Sequence, residues 1–222
     1  GKSLSARFAP NPPPTRRTNP PLSNPTLTEI GFVDTKVGNS PPSAPALGST
    51  FNLDALDGRP MNAVYRNGAI WMTHCVDKNG RAAINWYKIQ AASATLLDEG
   101  TVKDPVMSFF MPSISVNAND DVLLAFTASS PSMWAGCWFT GRRGIDPATE
   151  MAAPAEYKAG NNAYNQSSSG VNRWGDYSVT STDPLDDTTL WTIQEFTAVS
   201  GDWSTNIAEF SFSAGGGAAR SE

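Results

Sequence analysis

Arg173–Phe196 reads RWGDYSVTSTDPLDDTTLWTIQEF. Two runs in it, Tyr177–Thr182 and Thr188–Thr197, are made mostly of Val, Thr, Tyr, Trp, Ile and Phe, side chains that suit a pleated, half-buried surface. Asp183-Pro184-Leu185-Asp186-Asp187 separates them with residues that form turns. The pattern predicts a β-hairpin with an acidic tip. The same plan occurs twice upstream. Met61–Val76 (MNAVYRNGAIWMTHCV) turns at Asn67-Gly68, a dipeptide favoured by the type I′ hairpin. Pro112–Ser129 (PSISVNANDDVLLAFTAS) turns at Asn117–Asp120.

Each hairpin is followed by further strand-like segments. In the first unit these are Ala82–Ile89, after a turn at Lys78-Asn79-Gly80, and Thr95–Val102. In the second they are Ala135–Thr140 and the neighbourhood of Ala153–Lys158, and in the third Trp203–Phe212. Aligning Val64 with Val116 and Val179 gives offsets of 52 and 63, the longer one absorbed by the polar loop Ala159–Asn172. Four-stranded units with a period near 50 point to β-propeller blades. The expected fold is all-β, with antiparallel four-stranded blades at about 51–105, 106–160 and 173–213 in a domain spanning 49–222. No segment holds a helical apolar period over three turns. Three blades make half of a six-bladed ring, and an open half leaves edges and faces to cover.

Residues 1–48 are of another kind. Ten of the 17 prolines lie there, and five basic residues (Lys2, Arg7, Arg16, Arg17, Lys36) face two acidic ones (Glu29, Asp34), a net charge of +3. The rest carries 11 basic and 19 acidic residues, net −8. Such a segment builds no core and favours extended, polyproline-like chain, as a linker or as an arm laid on a neighbouring subunit. Ile30–Val33 is the one short strand expected within it. Gly and Pro together make 35 of 222 residues, beside seven Trp and ten Phe, which agrees with many short strands and tight turns.

The net charge of −5 argues against a nucleic-acid binder. No apolar run reaches the roughly 20 residues of a membrane-spanning helix. Few Lys and many Thr, Ser, Asn and Gly fit export, and the start at Gly1 is expected to reflect processing or a fragment. Cys75 and Cys137 are expected as small buried apolar residues within strands, with pairing in an oxidising compartment the alternative.

The combination RxGDYS, TxxDPxDDTTxWxxQE and WxTxIA is carried by Arg173, Gly175, Asp176, Tyr177, Asp183, Pro184, Asp186, Asp187, Trp191, Glu195 and Trp203. Arg59-Pro60-Met61, Gly68-Ala69-Ile70-Trp71, Arg81 and Trp86 add to it upstream. This resembles a group of secreted, largely uncharacterised bacterial β-propeller proteins whose blades are similar to the sialidase-like (neuraminidase, Asp-box) superfamily. The likeness covers about residues 50–212 and implies a secreted, six-bladed type of architecture without a defined chemistry. Val76–Arg81 followed by Trp86 only approximates the Asp box of that superfamily.

A sialidase-like glycosidase needs arginines converging on a carboxylate, a Tyr/Glu nucleophile pair and an acidic proton donor. Arg59, Arg81, Arg142, Arg143 and Arg173 could supply the first. Arg173, Asp176, Tyr177 and Glu195 are the catalytic candidates, set against a structural Arg173–Asp176 ion pair. His74 is the only histidine, and no nucleophile elbow accompanies it. With two cysteines and no CxxC or HExxH, a zinc site has no basis.

Asp183, Asp186 and Asp187 place three carboxylates within five residues, as a calcium site would, although Asp is equally a turn former. Trp134, Trp138, Trp174 and Tyr164, with the amide-rich loop Asn161–Gly170, could bind glycans or pack between blades. The expectation is a non-catalytic extracellular or cell-surface propeller module for adhesion or self-assembly, partnered by other protein chains. The alternative is a sialidase-like hydrolase or glycan-binding module.

Overall fold

A computed structural model describes residues 38–212, together with Glu29 and Gly31. Most of the Pro-rich segment, including the Ile30–Val33 strand expected there, lies outside the described residues. Among the described residues every named element is a β-strand. No helix is long and apolar enough to cross a membrane among the described residues.

The first sheet is a meander of β1 (Pro60–Arg66), β2 (Ala69–Asp77), β3 (Ala82–Gln90) and β4 (Thr95–Val102). The second repeats it with β5 (Ser108–Val116), β6 (Val122–Ser130), β7 (Met133–Arg142) and β8 (Ala155–Lys158). The third contains β9 (Val179–Thr182), β10 (Leu190–Thr197) and β11 (Trp203–Phe210), in the order β11-β10-β9. All pairings are antiparallel.

The hairpins form where the sequence places them. Asn67 and Gly68 take φ of 48° and 77°, the left-handed pair that a type I′ turn requires, and Arg66 then faces Ala69 in register. The expectation of four strands in the third unit is corrected to three among the described residues. The described residues end at Phe212, two beyond β11, and Phe212 packs against the core formed by Leu123, Leu190 and Phe210.

The sheets stack in chain order, with β5 against β1–β3, and β9 and β10 against β5–β7. β5 and β6 are buried along their whole length, since both of their faces are covered. One core lies between the first and second sheets, around Trp71, Ile84, Trp86, Phe109, Ile114 and Phe126. A smaller one, with Leu123, Leu190, Phe210, Phe139 and Tyr157, joins the second to the third. Beside it runs a seam of hydroxyls. Ser113 meets Thr180 at 2.7 Å, Ser115 meets Thr182 at 3.2 Å, and Ser178 donates to the Met111 carbonyl at 2.8 Å. Ser113 and Ser115 of β5 and Thr180 and Thr182 of β9 therefore make a sheet-to-sheet contact of paired hydroxyls.

The body starts earlier than the change in composition at residue 48. Pro41 and Ala44 are buried, Ala44 bridges Leu53, and both join Ala55, Cys75, Phe110, Tyr164 and Trp174 in a third core. Cys75 and Cys137 are free thiols on β2 and β7, and burial pushes each thiol up to about 12, far from the reactive thiolate form.

Candidate functional site

The turns that open the three hairpins meet at one end of the stack. Asn67 donates its amide to Asp120 at 2.6 Å, and Arg66 pairs with Asp187. The Ala118 amide donates to the Asp187 carbonyl at 2.8 Å, and Asn117 donates to the Thr188 carbonyl at 2.8 Å. Equivalent tips of successive repeats are thus tied together by polar contacts.

This arrangement absorbs the acidic cluster. Asp183 accepts from the Leu185 amide at 2.8 Å and from the Trp191 indole at 3.0 Å, Asp186 accepts from the Thr188 and Thr189 amides, and Asp187 holds Arg66. Among the described residues no group of three or more metal-ligating side chains forms. The three carboxylates cap turns and tie the repeats, and melting with and without chelator separates this role from a calcium site. An unchanged melting temperature supports the caps alone, a lowered one the cation.

The Thr189 hydroxyl and the Thr188 and Thr189 amides hold the Asp186 carboxyl down to about 2. A carboxyl depressed in the folded state contributes stability above its unfolded pKa and loses it as pH falls through the folded one. Asp186→Asn is therefore expected to be less stable than wild type at neutral pH, and the two should converge as pH approaches about 2. A difference that stays constant across a pH series of melting curves would reject this reading.

The five arginines considered as one cluster are dispersed. Arg59 pairs with Asp57 at 2.8 Å, Arg142 with Asp98 at 2.7 Å, Arg143 with Asp146 at 3.0 Å, and Arg173 with Asp176. Arg81 donates to the Pro105 carbonyl at 2.9 Å. His74 is buried, its Nδ1 2.6 Å from the Gly58 carbonyl and its Nε2 2.9 Å from the Tyr87 hydroxyl, and burial holds its pKa below the usual value. It fastens the outer side of the first sheet.

Three of the four catalytic candidates do come together. Arg173, Asp176 and Glu195 line an open cleft of about 300 Å³ with Tyr164, Trp174, Gly175 and Trp203. Tyr177, 71 % exposed, is not among its walls. The cleft follows from strand periodicity. Along β10 the residues Leu190, Thr192, Gln194 and Phe196 are buried, which turns Trp191, Ile193 and Glu195 to the opposite face. Thr205 stands opposite Glu195, with Trp203 two residues along on the same face of β11. The RWGD segment then closes the side.

Glu195 accepts the Gly175 amide at 2.9 Å. A Cβ on Gly175 would run into that carboxylate, so this glycine permits the approach. Burial raises the Glu195 carboxyl above the usual range, with Asp176 adding to the shift and the Gly175 amide opposing it. Trp174, fully buried, forms the floor, edge-on to Tyr164 at 5.0 Å between ring centroids. Trp203 stands 59 % exposed at the rim.

Tyr164, which the sequence set beside Trp174 as a candidate glycan-binding aromatic and apart from the catalytic candidates, joins them here. It arrives from the long polar loop, where Asn172 and Ser49 secure the local backbone. The site offers aromatic surface, two carboxylates and one exposed guanidinium, a set suited to binding. Comparison of the chain with protein-family models, curated proteins and solved structures returned no match.

Proposed function

We propose that the three sheets are blades of a β-propeller-type arc, and that the chain is a non-catalytic extracellular or cell-surface module for adhesion or self-assembly. The observation that carries this reading is the open face of the last sheet. Ile193 pairs with Val179 on one side and Ile207 on the other, making an apolar row across the three strands. Val179 is 55 % and Ile207 64 % exposed, whereas the corresponding junctions between the earlier sheets are filled by core. An apolar row of this kind at the end of a stack is a surface for another chain. Sheets stacked in chain order and equivalent turns bonded to one another support the propeller arrangement. The dispersal of the five arginines supports a non-catalytic role, since no carboxylate grip is assembled among the described residues.

The test is sedimentation velocity across a range of concentrations. Wild type is expected to exceed the monomer mass, and Val179→Lys with Ile207→Lys to shift it toward monomer. Monomeric wild type at every concentration would overturn the assembly reading. Turnover of fluorogenic glycosides, abolished by Arg173→Ala or Tyr177→Phe, would overturn the non-catalytic one in favour of a sialidase-like hydrolase.

A further inference from the structure

The Trp203 cleft is continuous with the open apolar row, because Trp203, Thr205 and Ile207 follow one another on the same face of β11. Its chemistry differs from that of the row. Trp203 and Tyr164 offer aromatic surface over the Trp174 floor, and Glu195 and Asp176 offer negative charge. Among the described residues Glu195 accepts a hydrogen bond through one oxygen, from Gly175, and its other oxygen has no donor. Asp176 is engaged by an exposed Arg173, and an exposed pair of this kind contributes little and exchanges readily. The cleft therefore suits a planar cation carried on a stiff, ring-rich chain.

The same chain contains such a segment. Pro12–Pro21 reads PPPTRRTNPP, two adjacent arginines framed by prolines, within a region of net charge +3 against a body of −8. Pro-rich segments lose little entropy on docking and are recognised by aromatic-lined grooves. Guanidinium groups stack on aromatic faces and bind carboxylates through two parallel hydrogen bonds.

We propose that the Trp203 cleft is the receptor for the Pro12–Pro21 segment of a second copy of the chain, with Arg16 or Arg17 meeting Glu195 and Asp176. This rests on the self-assembly reading and gives it a fastener. A second copy is favoured by where the segment is rooted. The Asn39 carbonyl accepts the Asp77 amide, and a Cβ on Gly31 would lie 3.4 Å from that of Ala94, so the segment leaves from the first sheet. The cleft lies on the third, with the second sheet packed between them. The charge difference, +3 in the segment against −8 in the body, favours contact between the arm of one copy and the body of another.

The experiment mixes full-length variants. Arg16→Glu with Arg17→Glu disables the arm, and Trp203→Ala disables the cleft without touching the core. Each variant alone is expected to self-associate about thirtyfold more weakly than wild type, the scale of losing an aromatic or arginine hot spot. Mixed together they should form a one-to-one heterodimer, since one intact arm still meets one intact cleft. Association weakened by salt, and by Glu195→Gln in the cleft, is expected as well.

Wild-type assembly that persists unchanged in both variants would overturn the arm-in-cleft contact while leaving assembly through the apolar row intact. Failure of wild type to assemble at all would overturn the self-assembly reading itself. Weakened association of each variant without heterodimer on mixing would overturn the assignment to a second copy, because an arm folded into its own cleft gives that result.

Discussion

Asp98→Ala is expected to destabilise the protein by about 3–5 kcal/mol in urea unfolding, among the largest effects of any single polar substitution. Asp98 on β4 and Arg142 at the end of β7 are both buried, and their side chains meet at 2.7 Å. The pair joins the outermost strand of the first sheet to the second sheet. Asp98 also accepts the Thr149 amide at 2.9 Å, so it anchors the loop before β8, while the Arg142 guanidinium lies 5.9 Å from the centre of the Trp86 ring. Truncating Asp98 leaves a guanidinium in a poorly hydrated junction with no counter-charge, and that stranded charge accounts for most of the cost.

Two comparisons isolate the cause. Arg143→Ala, which removes the partly exposed pair with Asp146, should cost about 0–1 kcal/mol. The double change Asp98→Leu with Arg142→Met should cost less than Asp98→Ala alone, because neither charge is then stranded. Equal losses for Asp98→Ala and Arg143→Ala would show that burial at this junction is not what matters.

The contrast between these two pairs marks how far sequence could be read. Arg143 and Asp146 are three residues apart, whereas Arg142 and Asp98 are separated by 44 and meet only because the sheets stack. Strands and turns were legible because their causes are local. Asn67-Gly68 needs no distant partner to make a type I′ turn, and Thr95–Val102 was placed at both ends by its own alternation. The third unit was legible as a hairpin, but its strand count was not, since pairing beyond β11 has no local signal.

The cleft divides in the same way. The set a sialidase-like site would need pointed to Arg173, Asp176, Tyr177 and Glu195, of which the structure gathers Arg173, Asp176 and Glu195 in the cleft and leaves Tyr177 exposed outside its walls. Tyr164 was legible as a candidate binding aromatic beside Trp174, but its meeting with Glu195 was not, because its loop has no strand periodicity to place it. The acidic tip was ambiguous for a physical reason: the groups that bind a hard cation also cap turns, and the amides of Leu185, Thr188 and Thr189 show the capping. The start of the body was hidden too. Proline content suggested that 1–48 is separate, yet Ala44 is fully buried in a core. Cutting at Ser49 would consequently strip packing as well as the arm, which is why substitutions in the arm are the better probe.

Trp174→Ala should cost about 3–5 kcal/mol, the range for deleting a fully buried aromatic and leaving a cavity. Its ring contacts Phe110 at 6.5 Å and Tyr164 at 5.0 Å between centroids, and its indole donates to Thr127 at 3.4 Å. Those partners come from β5, the long loop and β6, so one side chain unites the second sheet with the segment that leads into the third. Trp203→Ala, only twenty-nine residues on, should change stability by no more than about 0.5 kcal/mol, as an exposed substitution away from core and caps usually does. The two tryptophans line one cleft and are expected to separate its two roles. Losing the floor should weaken folding and assembly together, whereas losing the rim should weaken assembly with the melting temperature almost unchanged. Equal losses of stability in the two variants would mean that Trp203 is structural, and would remove the rim as a site of recognition.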